Sequence, residues 1–239
     1  MRRSVLLLAG LAAFALSAPP ASQAAPKADY SVPKTDPVPA GTPDFTGKWM
    51  MVNPARTLKP DNAKAAPLNA KGLAVYAKRQ AALKAGDKKA DPLSDCVMHG
   101  EPRLLFSPYP MLIMQYGKHV DFVHQANHTF RITYFNDTAP DDPDPHWLGW
   151  SSAHWAGKTL VIDSGVFNDQ TWLDYSGLPH GTQLAVQERY RLQGGAIHGQ
   201  VTITDPEFYT APWTASFTLK KLPGQMVLPE SVCTREHKM

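Results

Sequence analysis

Residues 183–204 read Gln-Leu-Ala-Val-Gln-Glu-Arg-Tyr-Arg-Leu-Gln-Gly-Gly-Ala-Ile-His-Gly-Gln-Val-Thr-Ile-Thr. Two runs rich in β-branched and aromatic residues flank Gly194-Gly195, and a glycine pair supplies the positive φ angles that a two-residue hairpin turn demands. The stretch is therefore an antiparallel hairpin. Working outward, runs of the same kind occupy 46–52, 111–116, 119–125, 129–135, 147–155, 159–163 and 215–220, with Gly, Pro, Asn and Asp between them. Further tight turns fall at Ala126-Asn127 and Ala156-Gly157. About nine short strands spaced by such turns are the pattern of all-β sandwiches and barrels. A meander of that length tends to curl and close, because closure removes unpaired strand edges. The expected fold is mainly β: an antiparallel up-and-down β-barrel or a strongly curled sheet, with one peripheral N-terminal helix. That helix is read between Asn69 and Ala85, where Leu73, Tyr76, Gln80 and Leu83 share a face and Gly86 marks the stop.

The remaining composition bounds the setting. The chain has 239 residues, 43% hydrophobic and 19% charged, so it folds around a core. It opens with Arg2 and Arg3, an apolar run over 5–16 and the small-residue site Ser22-Gln23-Ala24, the parts of a secretory signal peptide with cleavage after residue 24. The run is too short to span a bilayer. Lys and Arg number 24 against 21 Asp and Glu, and loss of Arg2 and Arg3 brings the two nearly level, which gives no electrostatic case for nucleic acid. Residues 25–44 carry Pro26, Pro33, Pro37, Pro39 and Pro43 and read as an extended leader, with 45–239 as a single barrel-like domain. Export to the periplasm or medium makes Cys96 and Cys233 a candidate disulfide.

Two resemblances rest on specific strings. Phe45-Thr46-Gly47-Lys48-Trp49 is similar to the Gly-x-Trp start of the lipocalins and their calycin relatives, in which a late-strand arginine covers the tryptophan. That likeness would assign the covering role to Arg189 or Arg191. The longer string Pro145-x-Trp147-x-Gly149-x-Ser151, Trp155-x-Gly157-x-Thr159-Leu160-Val161-x-Asp163, Phe167-Asn168-Asp169-x-Thr171-Trp172-Leu173-Asp174, Gly177-x-Pro179-His180 and Glu188-Arg189-Tyr190 resembles a large family of uncharacterised exported bacterial proteins. The likeness runs from about residue 43 to Cys233 and implies export but no particular activity. This sequence departs from the pattern at Ala153, Ala156 and Lys158, where Gly, Glu and Asp are expected.

Chemistry-bearing residues concentrate between 145 and 190. Strand alternation puts Trp147, Gly149, Ser151, Ala153 and Trp155 on one face and His146, Leu148, Trp150, Ser152 and His154 on the other. The connection between 163 and 183 is about twenty residues long, as functional loops often are, and its aromatic content reads as a lid over a barrel mouth. Among the histidines, His124, His128, His154 and His180 are the candidates for metal, but no converging set of three or four is apparent, so no metal or organic cofactor is assigned. Nucleophile-elbow, nucleotide and EF-hand motifs are missing from the sequence. What remains is acid/base chemistry, with His180 as acid or base and Asp169 and Glu188 as its carboxylates. Arg103, Tyr109, Trp150, His154, Trp172 and Asp174 are the candidate substrate-binding residues. Two readings stay open. One is a lyase, isomerase or hydrolase acting on a small aromatic or carbohydrate-derived molecule; the other is a calycin-type carrier that uses the same cavity without turnover.

Overall fold

The computed structural model describes residues 37–233, so the signal peptide read over 1–24, most of the leader and residues 234–239 lie outside the described residues. Nine strands form one closed barrel: β1 Gly47–Met51, β2 Met111–Gln115, β3 His119–His124, β4 Phe130–Phe135, β5 Trp150–Ala156, β6 Thr159–Gly165, β7 Ala185–Gln193, β8 Ala196–Thr204 and β9 Trp213–Lys221, with the helix α1 Ala70–Lys84 after β1. The opening hairpin is β7–β8, paired from Ala185–Thr204 to Gln193–Ala196. Its glycines stand at φ of 60° and 78°, as a turn of matching twist requires.

Each strand pairs with its sequence neighbours and β9 closes on β1, and eight of the nine contacts are antiparallel. The ninth, β4 with β5, is parallel. A ring with an odd number of strands cannot alternate direction all the way round, so the expected up-and-down order has to break once. It breaks where residues 136–149 carry the chain back along the barrel before β5 begins. The connections sort by end as a result. At one end lie the short turns 116–118, 157–158 and 194–195, under a stack of Phe45, Trp155 and Phe135 with ring centroids 6.1 and 5.9 Å apart. At the other end gather the long connections 52–110, 166–184 and 205–212.

Alternate residues point inward, and Trp49, Phe122, Leu160, Ile162, Val201 and Leu219 make up part of a core that is almost free of solvent. Full burial of side chains this size stabilises by about 1.5–3 kcal/mol each. Trp49 is indeed covered by a cation, but it is Lys221 of β9, 5.5 Å from the ring centroid, and not Arg189 or Arg191. The reason is topological: β9 is the strand beside β1, whereas β7 lies two strands further round.

Asn69 caps α1 by accepting from Gly72 N at 2.9 Å, and Gly86 beyond the last turn has φ of 77°. The inner face is offset from the expected one. Leu73 is 56% exposed and Gly72 is buried, because the helix approaches residue 208 so closely that a Cβ at position 72 would lie 2.3 Å from its carbonyl oxygen. Tyr76, Arg79 and Gln80 bond the 176–177 backbone or the Ser176 hydroxyl, so the helix clamps the long 166–184 loop. No described helix is long and apolar enough to cross a membrane. Cys96 and Cys233 form a disulfide with Cα atoms 5.5 Å apart, which ties the tail to the loop end of the barrel.

Candidate functional site

The loop that the sequence offered as a lid is a packed plug. Trp172, Leu173, Asp174, Leu178 and His180 are all buried. Asp174 organises it: its carboxylate accepts from the amides of Leu58, Ser176, Gly177 and Leu178 and from the Ser176 hydroxyl, at 2.9–3.1 Å. Those bonds occupy the carboxylate on both oxygens, so Asp174 holds backbone and is not placed to meet a substrate. Trp172 lies under two guanidiniums, those of Arg79 and Arg103, at 5.1 and 5.8 Å.

The expected catalytic trio does not assemble. His180 bonds Thr171 Oγ1 through Nε2 at 2.8 Å and the Gly181 carbonyl through Nδ1 at 3.3 Å, and burial pushes it down to about 4. Asp169 is exposed and makes no hydrogen bond to it. Glu188 is on β7, inside the barrel, and pairs with Arg131. His154 stands on the outer surface, 3.4 Å from Asp163. His128 accepts a bond from the backbone of Ser231 at 3.1 Å while His124 is buried in the lumen. Among the described residues no cluster of three His, Cys, Asp or Glu is placed to hold a metal.

What the structure does assemble is a buried charge network across the lumen. Arg131 of β4 donates to Glu188 Oε2 at 2.7 Å, and Tyr190 donates to Glu188 Oε1 at 3.0 Å. Glu101, from the long connection before β2, stands with Oε1 3.8 Å from Arg131 Nη1. Neither of those two facing atoms has a hydrogen-bond partner. Burial, opposed by Arg131 and reinforced by Glu188, pushes the Glu101 carboxyl up to about 8, in favour of its protonated form. Burial works against the Arg131 cation, but the attraction of Glu188, to which it is hydrogen-bonded, leads the effects that outweigh burial and hold the guanidinium charged. His124, beside the same guanidinium, is pushed down to about 3 by burial and by Arg131 and stays neutral.

A cavity of about 580 Å³ lies over the junction of β4 and β5, and Arg131 is the one member of this network among its lining residues. It exists because β4 and β5 pair at two positions, Tyr134–Ser152 and Phe135–Ala153, and part towards the loop end. Arg131 and Ser151 line it on the lumen side, while Phe130, Tyr134, Trp147 and Trp150 supply aromatic surface. The turn into β5 is fixed by Gly149, at φ of 65°, where a Cβ would lie 2.4 Å from the Gly165 carbonyl. Backbone bonds from His146 N to Val166 O and from Asn168 N to His146 O, both 3.0 Å, hold the tryptophan-bearing segment in place. Of the residues expected from sequence, Trp150 lines this cavity, and Arg103 and Tyr109 meet in a second cleft described below.

No family model matches the chain, and no curated protein is detectably similar to it. The site therefore stands on its own geometry. Arg131 and Glu101 were missed in the sequence as members of one network, yet β4 carries a signal. In Thr129-Phe130-Arg131-Ile132-Thr133-Tyr134 the polar residues Thr129, Arg131 and Thr133 are buried and the apolar ones face out, the reverse of an ordinary half-buried strand.

Proposed function

We propose that the protein is an exported enzyme doing cofactor-free acid/base chemistry on a small aromatic or carbohydrate-derived substrate bearing a carbonyl or carboxyl oxygen, with Glu101 and Arg131 in the roles first given to His180 and Asp169. One observation carries this reading: Arg131 is a lining residue of an aromatic cavity and also faces the free oxygen of a carboxyl whose protonated form burial favours. A substrate oxygen accepting from Arg131 Nη1 and from the Glu101 hydroxyl would have negative charge stabilised as it develops, inside a low-dielectric site. That polarisation suits isomerisation, elimination or hydrolysis next to a carbonyl. A carboxyl kept protonated by burial is the form able to donate. Export is supported by the leader read in the sequence, by the likeness to exported bacterial proteins and by the disulfide.

The carrier reading is favoured by a different observation: Glu101 itself is not part of the cavity wall, and a bound ligand can fill the aromatic slot without touching it. Incubating the mature protein, Glu101→Gln and Trp150→Ala with small aromatics, glycosides and uronates separates the two. Turnover by the wild type that falls at least a hundredfold in Glu101→Gln, with affinity retained, is the enzyme's signature. Binding without turnover that is weakened by Trp150→Ala and indifferent to Glu101→Gln makes the protein a carrier.

A further inference from the structure

A second cleft, of about 380 Å³, lies at the loop end and shares no lining residue with the cavity in the β4–β5 wall. Its rim carries Arg56 and Lys88, both exposed, and its interior carries Arg103, His99, Tyr109 and Tyr175. The one carboxylate in its lining, Asp91, is taken by Arg103 in a two-pronged ion pair. Inside, charge is thus balanced; at the rim two cations stand with no ion pair among the described residues. The cleft attracts an anion at its mouth and has no use for one at its floor.

The floor has a different need. His99 and Arg103 are 2% and 1% exposed, yet His99 Nδ1, Arg103 Nε and the neighbouring Ser94 Oγ have no hydrogen-bond partner. Buried polar atoms of that kind are rarely left unmet. Burial, with Arg103 beside it, pushes His99 down to about 4, so its ring is neutral at pH 7 and pairs best with an uncharged hydroxyl. Between rim and floor the walls are aromatic: Tyr109 and Tyr175, with the Arg103 guanidinium 4.2 Å from the Tyr175 ring centroid.

The geometry points to a second ligand site here, for a hydroxylated aromatic carboxylate: carboxylate at Arg56 and Lys88, ring between Tyr109 and Tyr175, hydroxyl at His99 Nδ1. This site is independent of the proposed acid/base chemistry. The volume suits a single substituted ring. Three lining residues, Asp91, Leu93 and Ser94, lie just before Cys96, so the disulfide anchors one wall of the cleft.

Titration calorimetry of the mature protein with 4-hydroxybenzoate and with benzoate at low salt tests the assignment. The expected result is saturable binding of 4-hydroxybenzoate that weakens about tenfold in Arg56→Ala/Lys88→Ala, weaker binding of benzoate, and no change in Trp150→Ala. Both rim residues are exposed, so the double variant keeps its fold. Absence of binding, or affinity untouched by the double substitution, overturns the site. Affinity lost in Trp150→Ala moves the ligand to the other cavity and overturns it equally. Benzoate binding as tightly as 4-hydroxybenzoate overturns the hydroxyl contact with His99.

Discussion

The wall from β6 to β9 and the junction of β4 with β5 are made of the same element and behave as opposites. Along β6, β7, β8 and β9 the ladders run through six to nine paired positions, whether the joining segment is the two-residue turn of β7–β8 or the long connections 166–184 and 205–212. Between β4 and β5 two positions pair, the strands run parallel, and aromatic side chains line a gap instead of filling it. A single odd strand separates the two outcomes, since it forces one parallel contact somewhere in the ring. The cost of closure is confined to one seam, and Arg131 of the charge network is among the residues that line it.

The largest effect is expected from breaking the network that faces the seam. Arg131→Met leaves Glu188 and Glu101 buried without their cation and should cost about 3–5 kcal/mol in urea unfolding. Arg131→Met/Glu188→Met should recover much of that loss, because apolar replacements can fill the space of a buried pair without its desolvation cost. A single variant as stable as the wild type would mean that the lumen is wet and the pair screened.

The disulfide sharpens the comparison from the other side. Cys96 and Cys233 are 137 residues apart in sequence and join the tail to the loop end, outside every strand of the barrel. Cys96→Ser/Cys233→Ser should cost about 2–5 kcal/mol while the β6–β9 ladders keep their circular-dichroism signature up to the transition. Binding in the cleft beside Cys96 should weaken before the barrel melts.

How much of this was legible follows the same division. The β7–β8 hairpin was plain, since its Gly194-Gly195 turn is local chemistry, and α1 was plain from Asn69 to Gly86. The parallel contact was not, because strand direction depends on where the 136–149 segment leads the chain. Cation cover on Trp49 was anticipated but its donor was misassigned, since adjacency of β1 and β9 appears only on closure. His180 drew attention as a lone histidine on a polar loop, whereas Thr171 and Gly181 satisfy both its nitrogens. Asp174 looked like a ligand contact for the same reason and is a hub for four amides. Long-range partners were the missing information each time.

Opposed titrations give the next effect in size. His99, His124 and His180 stand at about 4, 3 and 4 in the folded chain against an ordinary 6.5. Their contribution is fully present above 6.5 and drains as pH falls towards 4, because the unfolded chain binds protons there that the folded one refuses. Glu101, raised from 4.5 to about 8, runs the other way: its contribution is complete below 4.5 and is lost as pH rises through 8. Stability measured by urea unfolding should therefore peak near pH 6.5 and fall on the acid side by about 3 kcal/mol per pH unit, two net protons' worth, with a shallower alkaline limb. Glu101→Gln should flatten the alkaline limb and steepen the acid limb above pH 4.5, where Glu101 offsets the histidines, and an alkaline limb unchanged in that variant would show that Glu101 is ionised in the folded protein.

The smallest effect reads the seam directly. In β4 some backbone amides face β3, where pairing runs from His119–Tyr134 to Val123–Phe130, and the others face β5, which has drawn away from residues 130–133. Amides on the paired side are released only with the sheet, whereas those on the open side meet the cavity and its water. Hydrogen exchange at the seam-facing positions should thus be at least about a hundredfold faster than in β8, between two full ladders. A ligand seated between Trp147, Trp150 and Arg131 would exclude that water and slow the same amides without touching those of β8. Seam amides as protected as those of β8 in the free protein would mean that β4 and β5 zip shut in solution. The cavity would then close with them, and Arg131 would be left as a purely internal ion pair.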